Sequence, residues 1–111
     1  MRAFIKIGDR EIEMAANAAS PYIYNHVFNE DFLQKLQSKD PDSDLFQKMG
    51  FIMAEQAKED KISELMKLNM DKYFEWLTQF EPVDVLLATG EISGLYMGQA
   101  IESSVPKSEG V

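Results

Sequence analysis

Two short stretches at the start of the chain alternate between apolar and polar residues. Phe4-Ile5-Lys6-Ile7 puts Ile5 and Ile7 on one face, and Glu11-Ile12-Glu13-Met14 puts Ile12 and Met14 on another. Gly8-Asp9-Arg10 lies between them, and glycine supplies the positive φ that a tight connection needs. The pattern predicts a β-hairpin. A lone hairpin is marginal in water, so it must lie on helices or pair an edge with another chain. The period then changes. Ser20-Pro21 opens a helix, with the serine at the cap and the proline at a first position that needs no N–H. Ile23, Val27 and Phe28 follow at helical spacing; Asn29, Glu30 and Asp31 interrupt it; Phe32, Leu33 and Leu36 resume an apolar face. Residues 38–43 form a polar loop in which Asp42 or Ser43 caps a further helix. Leu45, Met49, Ile52 and Met53 recur in that helix at i, i+4, i+7 and i+8, and Gly50 weakens it slightly. Residues 54–61 are nearly all polar and read as an exposed helix end or connection.

The second half continues as helix. Ile62, Leu65, Met66 and Leu68 suit a short one. Asn69 caps the next, Met70 to Phe80, whose Tyr73, Trp76, Leu77 and Phe80 form a broad aromatic face and are the expected core anchors. Trp76 is expected between this helix and the last. Glu81-Pro82 breaks that helix and starts the final one, which carries Val83, Leu86, Leu87, Ile92, Leu95 and Tyr96 and which Gly90 ends early. After Ala100 no core pattern remains. The expectation is one α+β, mostly α domain over residues 1–102, an N-terminal hairpin packed on four or five helices, followed by a flexible tail over 103–111.

Composition narrows the function. The chain has 111 residues, no cysteine, 45% hydrophobic and 27% charged residues, which suits one globular domain and excludes thiolate chemistry and cysteine-bound zinc. Eleven basic residues, two of them arginine, against nineteen acidic give a net charge of −8. Phosphate neutralisation needs clustered cations, so nucleic acid and anionic membranes are poor partners. No apolar run reaches the ~18 residues of a membrane span, and the N-terminus has no signal-peptide core. A soluble cytoplasmic protein is expected.

Candidate chemistry is thin. His26 is the sole histidine, has no cysteine or second histidine to partner it, and reads as a polar helix residue. Asp40, Asp42 and Asp44 imitate the first ligands of a calcium loop, but Leu45 stands where the turn glycine belongs and Phe51 where the bidentate glutamate belongs. Acids before a helix complement its dipole instead. Gly90, Gly94 and Gly98 lack the context of a phosphate loop. Their spacing of four either lays a smooth strip where another backbone can approach or marks a frayed C-terminal segment. No catalytic set, metal or cofactor is expected. Seven methionines and twelve aromatic residues form a soft core, and those off the core stripe, Phe4, Tyr22, Phe74 and Met97, are candidates for partner or self-association surface together with Gly90, Gly94 and Gly98.

The order of segments resembles a known group. Gly-Asp-Arg-Glu-Ile-Glu-Met (residues 8–14) in an Ile-rich hairpin precedes Phe-Gln-Lys-Met-Gly-Phe-Ile-Met-Ala-Glu-Gln-Ala (46–57). Tyr-Phe-Glu-Trp-Leu-Thr-Gln-Phe-Glu (73–81) follows, then Glu-Ile-Ser-Gly-Leu-Tyr (91–96) before a Ser/Lys-rich end. Over roughly residues 3 to 107 this is similar to the small tail assembly chaperones of long-tailed bacteriophages and prophages. The Glu-Trp-Leu-x-Gln-Phe-Glu segment is its most telling piece. The resemblance implies a non-enzymatic protein of the host cytoplasm. Such a protein coats the long, hydrophobic tape measure protein, keeps it soluble until tail tube subunits polymerise around it, and is not retained in the virion. It also implies self-association, and in many members a second, longer form. The reading from a different class is a small acidic regulatory or adaptor protein that binds one folded partner.

Overall fold

The computed structural model describes residues 2–39 and 44–109, with side chains through Gly98. Asp40, Asp42 and Ser43, expected in the loop and its cap, lie outside the described residues, as do Gly110 and Val111.

The alternating stretches form an antiparallel pair, β1 (Arg2–Ile7) and β2 (Arg10–Ala15), joined by Gly8 and Asp9. Only Gly8 has positive φ there, at 66°, as a two-residue hairpin with glycine first requires. Ile5 pairs with Ile12, so the two strands do not present separate apolar faces. Ile5, Ile7 and Met14 are buried on one shared inner side with half-buried Ile12.

Six helices follow among the described residues, one more than expected. They are α1 (Ser20–Phe28), α2 (Phe32–Gln37), α3 (Leu45–Lys58), α4 (Ile62–Leu65), α5 (Met70–Leu77) and α6 (Pro82–Glu109). Asn29 ends α1 in the left-handed region at φ 55°, a conformation asparagine tolerates because its short side chain can hydrogen-bond locally. Asp31 caps α2 by accepting from the Gln34 N–H at 3.1 Å, and Asn69 caps α5 by accepting from the Lys72 N–H at 3.0 Å. α5 stops at Leu77, short of the predicted Phe80.

α3 is the hub. It packs against β2, α1, α2, α5 and α6, while α6 also covers β1. Its residues from Lys48 to Ala54 are buried without a break, so this helix has no solvent stripe over two turns. Gly50 has a job there beyond weakening the helix. A Cβ at that position would sit 2.7 Å from Ile92 Cδ1, so its absence lets α3 and α6 approach closely. The expected exposed end begins too early: Ala54 and Gln56 are buried, and α3 runs to Lys58. Tyr24, Phe28, Phe32, Phe51, Tyr73 and Trp76 make a chain of ring contacts through the core, with centroids 4.9 to 6.4 Å apart.

α6 passes straight through Gly90 instead of ending there, because burial of Val85, Ala88, Ile92 and Leu95 outweighs glycine's low propensity. Its backbone stays helical to Glu109, where a tail without core pattern was expected from 103.

Candidate functional site

Ser20 is not the cap of α1. Ala19 holds that position with no side-chain cap, and Ser20 is the first helical residue. Its buried hydroxyl donates to Gln56 Oε1 at 2.6 Å and accepts from the Asn17 N–H at 3.0 Å. Gln56 Nε2 in turn donates to Asn17 Oδ1 at 3.2 Å. This closed circuit ties the end of the hairpin and the start of α1 to α3.

A second polar cluster sits between α1, α2 and α3. The buried Lys48 ammonium donates to Glu30 Oε2 at 3.0 Å, lies 3.4 Å from Asp44 Oδ2, and stands 5.3 Å over the Phe28 ring. Tyr24, fully buried, donates its hydroxyl to Glu30 Oε1 at 2.8 Å. Burial pushes the Glu30 carboxyl up, but hydrogen bonds from Lys48 and Tyr24 and the Lys48 charge outweigh it and hold the group below the ordinary range. Burial pulls Lys48 down, and its hydrogen bond to Glu30 with the Asp44 and Glu30 charges more than reverses this. Burial and the hydrogen bond to Glu30 raise Tyr24, and burial raises Tyr73 to about 12. Both rings therefore stay neutral at physiological pH. Both Glu30 oxygens, the Lys48 ammonium and the Tyr24 hydroxyl have protein partners, so the cluster fixes α1, α2 and α3 against one another.

The predicted core anchors divide. Tyr73 is buried, and its hydroxyl accepts from Gln47 Nε2 at 3.0 Å. Trp76 is buried too, but against Phe51 of α3 at 5.7 Å and Phe80 at 5.1 Å, rather than between the last two helices. Leu77 and Phe80 are only half-buried at the margin of the core. With Gln47, Pro82 and Val85 they line an open cleft of about 270 Å³. Arg10 closes over Phe80, 5.1 Å from the ring centroid, and donates to Gln79 Oε1 at 3.1 Å.

The predicted surface residues all face outward. Phe4 and Tyr22 are each 65% exposed, Phe74 51% and Met97 44%, and a Cβ added at Gly90, Gly94 or Gly98 would meet nothing within 4 Å. They are not one patch by origin: Phe4 projects from the outer side of β1, Tyr22 from α1, Phe74 from α5, and Met97 with the glycines from α6. Sequence reasoning missed Leu33, Ile62, Met70, Val83, Leu86 and Leu87, which are exposed as well. The sequence pattern runs Val83, Leu86 and Leu87 along α6 with Ile92, Leu95 and Tyr96 without separating exposed from buried positions. A template that followed Val85, Ala88, Ile92 and Leu95 at i, i+3, i+7 and i+10 would have separated the two sets.

His26 is exposed, and among the described residues no group of three or more His, Asp or Glu side chains is placed to hold a metal ion. Among them, too, no helix is long and apolar enough to cross a membrane. Compared with protein-family models, curated proteins and solved structures, the chain finds no match.

Proposed function

We propose that this chain is a tail assembly chaperone of the long-tailed phage type, which coats a tape measure protein in the host cytoplasm and is absent from the finished virion. The observation that carries the reading is a set of large apolar side chains standing in solvent on an acidic body. Phe4, Tyr22, Leu33, Ile62, Met70 and Phe74 project from five different elements outside α6, on a chain of net charge −8. Scattered apolar side chains are ordinary on a protein surface, so their fit to a client of the right shape supports the reading, not their number. Several dispersed anchors suit a long amphipathic client that offers apolar surface along its whole length, and desolvation of that surface supplies the affinity. The open cleft beside Leu77 and Phe80 can accept one client side chain. The negative charge keeps coated assemblies apart and in solution. The protein acts by binding, not by catalysis, and tail tube protein meets it only through the shared client.

Co-expression tests this directly. An insoluble tape measure protein should become a soluble complex holding several copies of this chain, since a standard contact shields only ~800 Å² on each partner. A client that stays insoluble at every expression ratio defeats the proposal, and a complex of one copy on a compact partner points to an adaptor.

A further inference from the structure

We infer that the free edge of β2 takes up an extended segment of another protein, one that alternates basic and apolar residues and joins the hairpin as a third strand. This goes beyond the proposed function and does not rest on it. Gly8 and Asp9 form a two-residue turn, so the flanking pair Ile7 and Arg10 exchanges both backbone hydrogen bonds. By alternation, so do Ile5 with Ile12 and Ala3 with Met14. The N–H and C=O groups of Glu11 and Glu13 then point away from β1. Among the described residues nothing bonds to them. A row of such groups is a template for another strand.

The edge has room beside it. α6 packs along β1, whereas β2 borders an open groove of about 190 Å³, lined by Arg10 through Glu13 on the strand side and by Ala57, Lys58, Trp76 and Gln79 on the helical side. Four consecutive strand residues give it a length of ~10 Å, three or four residues of an extended chain. A strand paired with Glu11 and Glu13 sets one side chain between them, on the inner side with Ile12, where the groove and Trp76 offer an apolar seat. Its neighbours fall on the outer side, opposite the two glutamates. There the hairpin already alternates in sign: Lys6 faces Glu11 across the ladder, and Arg2 Nη1 lies 3.4 Å from Glu13 Oε2. The cations lining the groove are engaged elsewhere, Arg10 with Phe80 and Gln79 and Lys58 with Glu55. Opposite charges directly across a ladder stabilise it and like charges do the reverse, so a third strand is favoured with lysine or arginine at these positions. The same rule disfavours a second copy: two β2 edges meeting about a two-fold axis would set these glutamates against each other.

Blocked seven-residue peptides added to the intact chain test this without any client. The probe alternates lysine and valine. A second peptide has glutamate for lysine, and two more carry N-methyl groups on every lysine amide or on every valine amide. When the lysine–valine peptide saturates the chain, exchange of the Glu11 and Glu13 amides, followed by NMR, should slow at least tenfold, and the fluorescence of Trp76, the sole tryptophan, should shift. The glutamate peptide should bind at least tenfold more weakly. N-methylation at lysine, whose amides face β2, should weaken binding at least tenfold, whereas N-methylation at valine should leave it nearly unchanged. The double variant Glu11→Lys, Glu13→Lys should reverse the preference between the lysine and glutamate peptides. Equal binding of the two N-methylated peptides overturns the inference, since a chain of net charge −8 attracts any polycation. So does an absence of binding at millimolar peptide. Slowing of exchange at Glu11 and Glu13 with protein concentration alone would make a second copy the occupant and overturn it too.

Discussion

Replacing Trp76 by alanine removes the largest side chain from the contact between α5 and α3. The indole is 5% exposed and meets Phe51 and Phe80 at centroid distances of 5.7 and 5.1 Å. Burying roughly 200 Å² at ~25 cal/mol per Å² is worth at most about 5 kcal/mol. Ring contacts of ~0.5–1.5 kcal/mol each are lost as well, and partial collapse of Phe51 and Phe80 into the space gives some back. The expected cost is 3–5 kcal/mol, within the ~3–5 found for aromatic-to-alanine changes in cores. A domain of this size has a total stability of only ~5–15 kcal/mol, so the variant should melt on the order of 15 °C lower or fail to fold. Thermal and urea unfolding followed by far-ultraviolet circular dichroism measure it, since the variant has no tryptophan left to report. Phe74→Ala on the outer side of the same helix is the internal control and should cost less than ~1 kcal/mol. Equal effects of the two substitutions would refute the packing described for α5.

Stability should also depend on pH through the Lys48–Glu30 pair. Glu30 is held below its usual 4.5, so its contribution is present above that value and is lost as pH falls through the lower folded value; Lys48 is raised above 10.5, so its contribution is present below that value and is lost as pH rises through the higher folded one. Urea midpoints across pH should therefore show a plateau with both flanks, the alkaline one shared with the raised hydroxyls of Tyr24 and Tyr73, and Lys48→Met should make that flank shallower without abolishing it; an unchanged flank would remove Lys48 from the account. Glycine substitutions should differ in sign by position. Gly50→Val forces its side chain onto Ile92 and should destabilise by ~1–3 kcal/mol, whereas Gly90→Ala, measured at concentrations where copies are separate, should stabilise by ~0.5–1 kcal/mol. Chemical denaturation of both variants decides it, and destabilisation by Gly90→Ala would mean that a contact at that glycine has gone unseen.

What could be read from the sequence was local. Gly8 between two alternating stretches announces the hairpin, because φ and side-chain alternation act over a few residues. Asn69 likewise sits beside the amide it caps. The readings that failed depended on distant partners. Lys48 looks like an ordinary polar position until Glu30, eighteen residues earlier, meets it. Ser20 looks like a cap until Gln56, thirty-six residues later, takes its hydroxyl inside. Gly50 looks like a weak point until Ile92 arrives. The candidate surface was half legible for the same reason. Phe4, Tyr22, Phe74 and Met97 fall off any single core stripe, but α6 carries two stripes that cancel in a simple amphipathic reading, so Val83, Leu86 and Leu87 could not be told from the buried set.

The first strand rests on the last helix. β1 packs against α6, and a Cβ at Gly8 would press on Asp84 Oδ2 at 2.7 Å, so the turn of the hairpin and the first turns of α6 meet closely. During synthesis, Ile5 and Ile7 emerge from the ribosome long before Ile92 and Leu95 exist to cover that region. The core is therefore closed by α6, and the nascent chain carries a bare hairpin until that helix has been made. Folding of the domain therefore waits until α6 has left the ribosome. A truncation ahead of Ile92 would remove a long-range covering element rather than a terminal ornament, and would leave a strand pair seeking another surface to lie on.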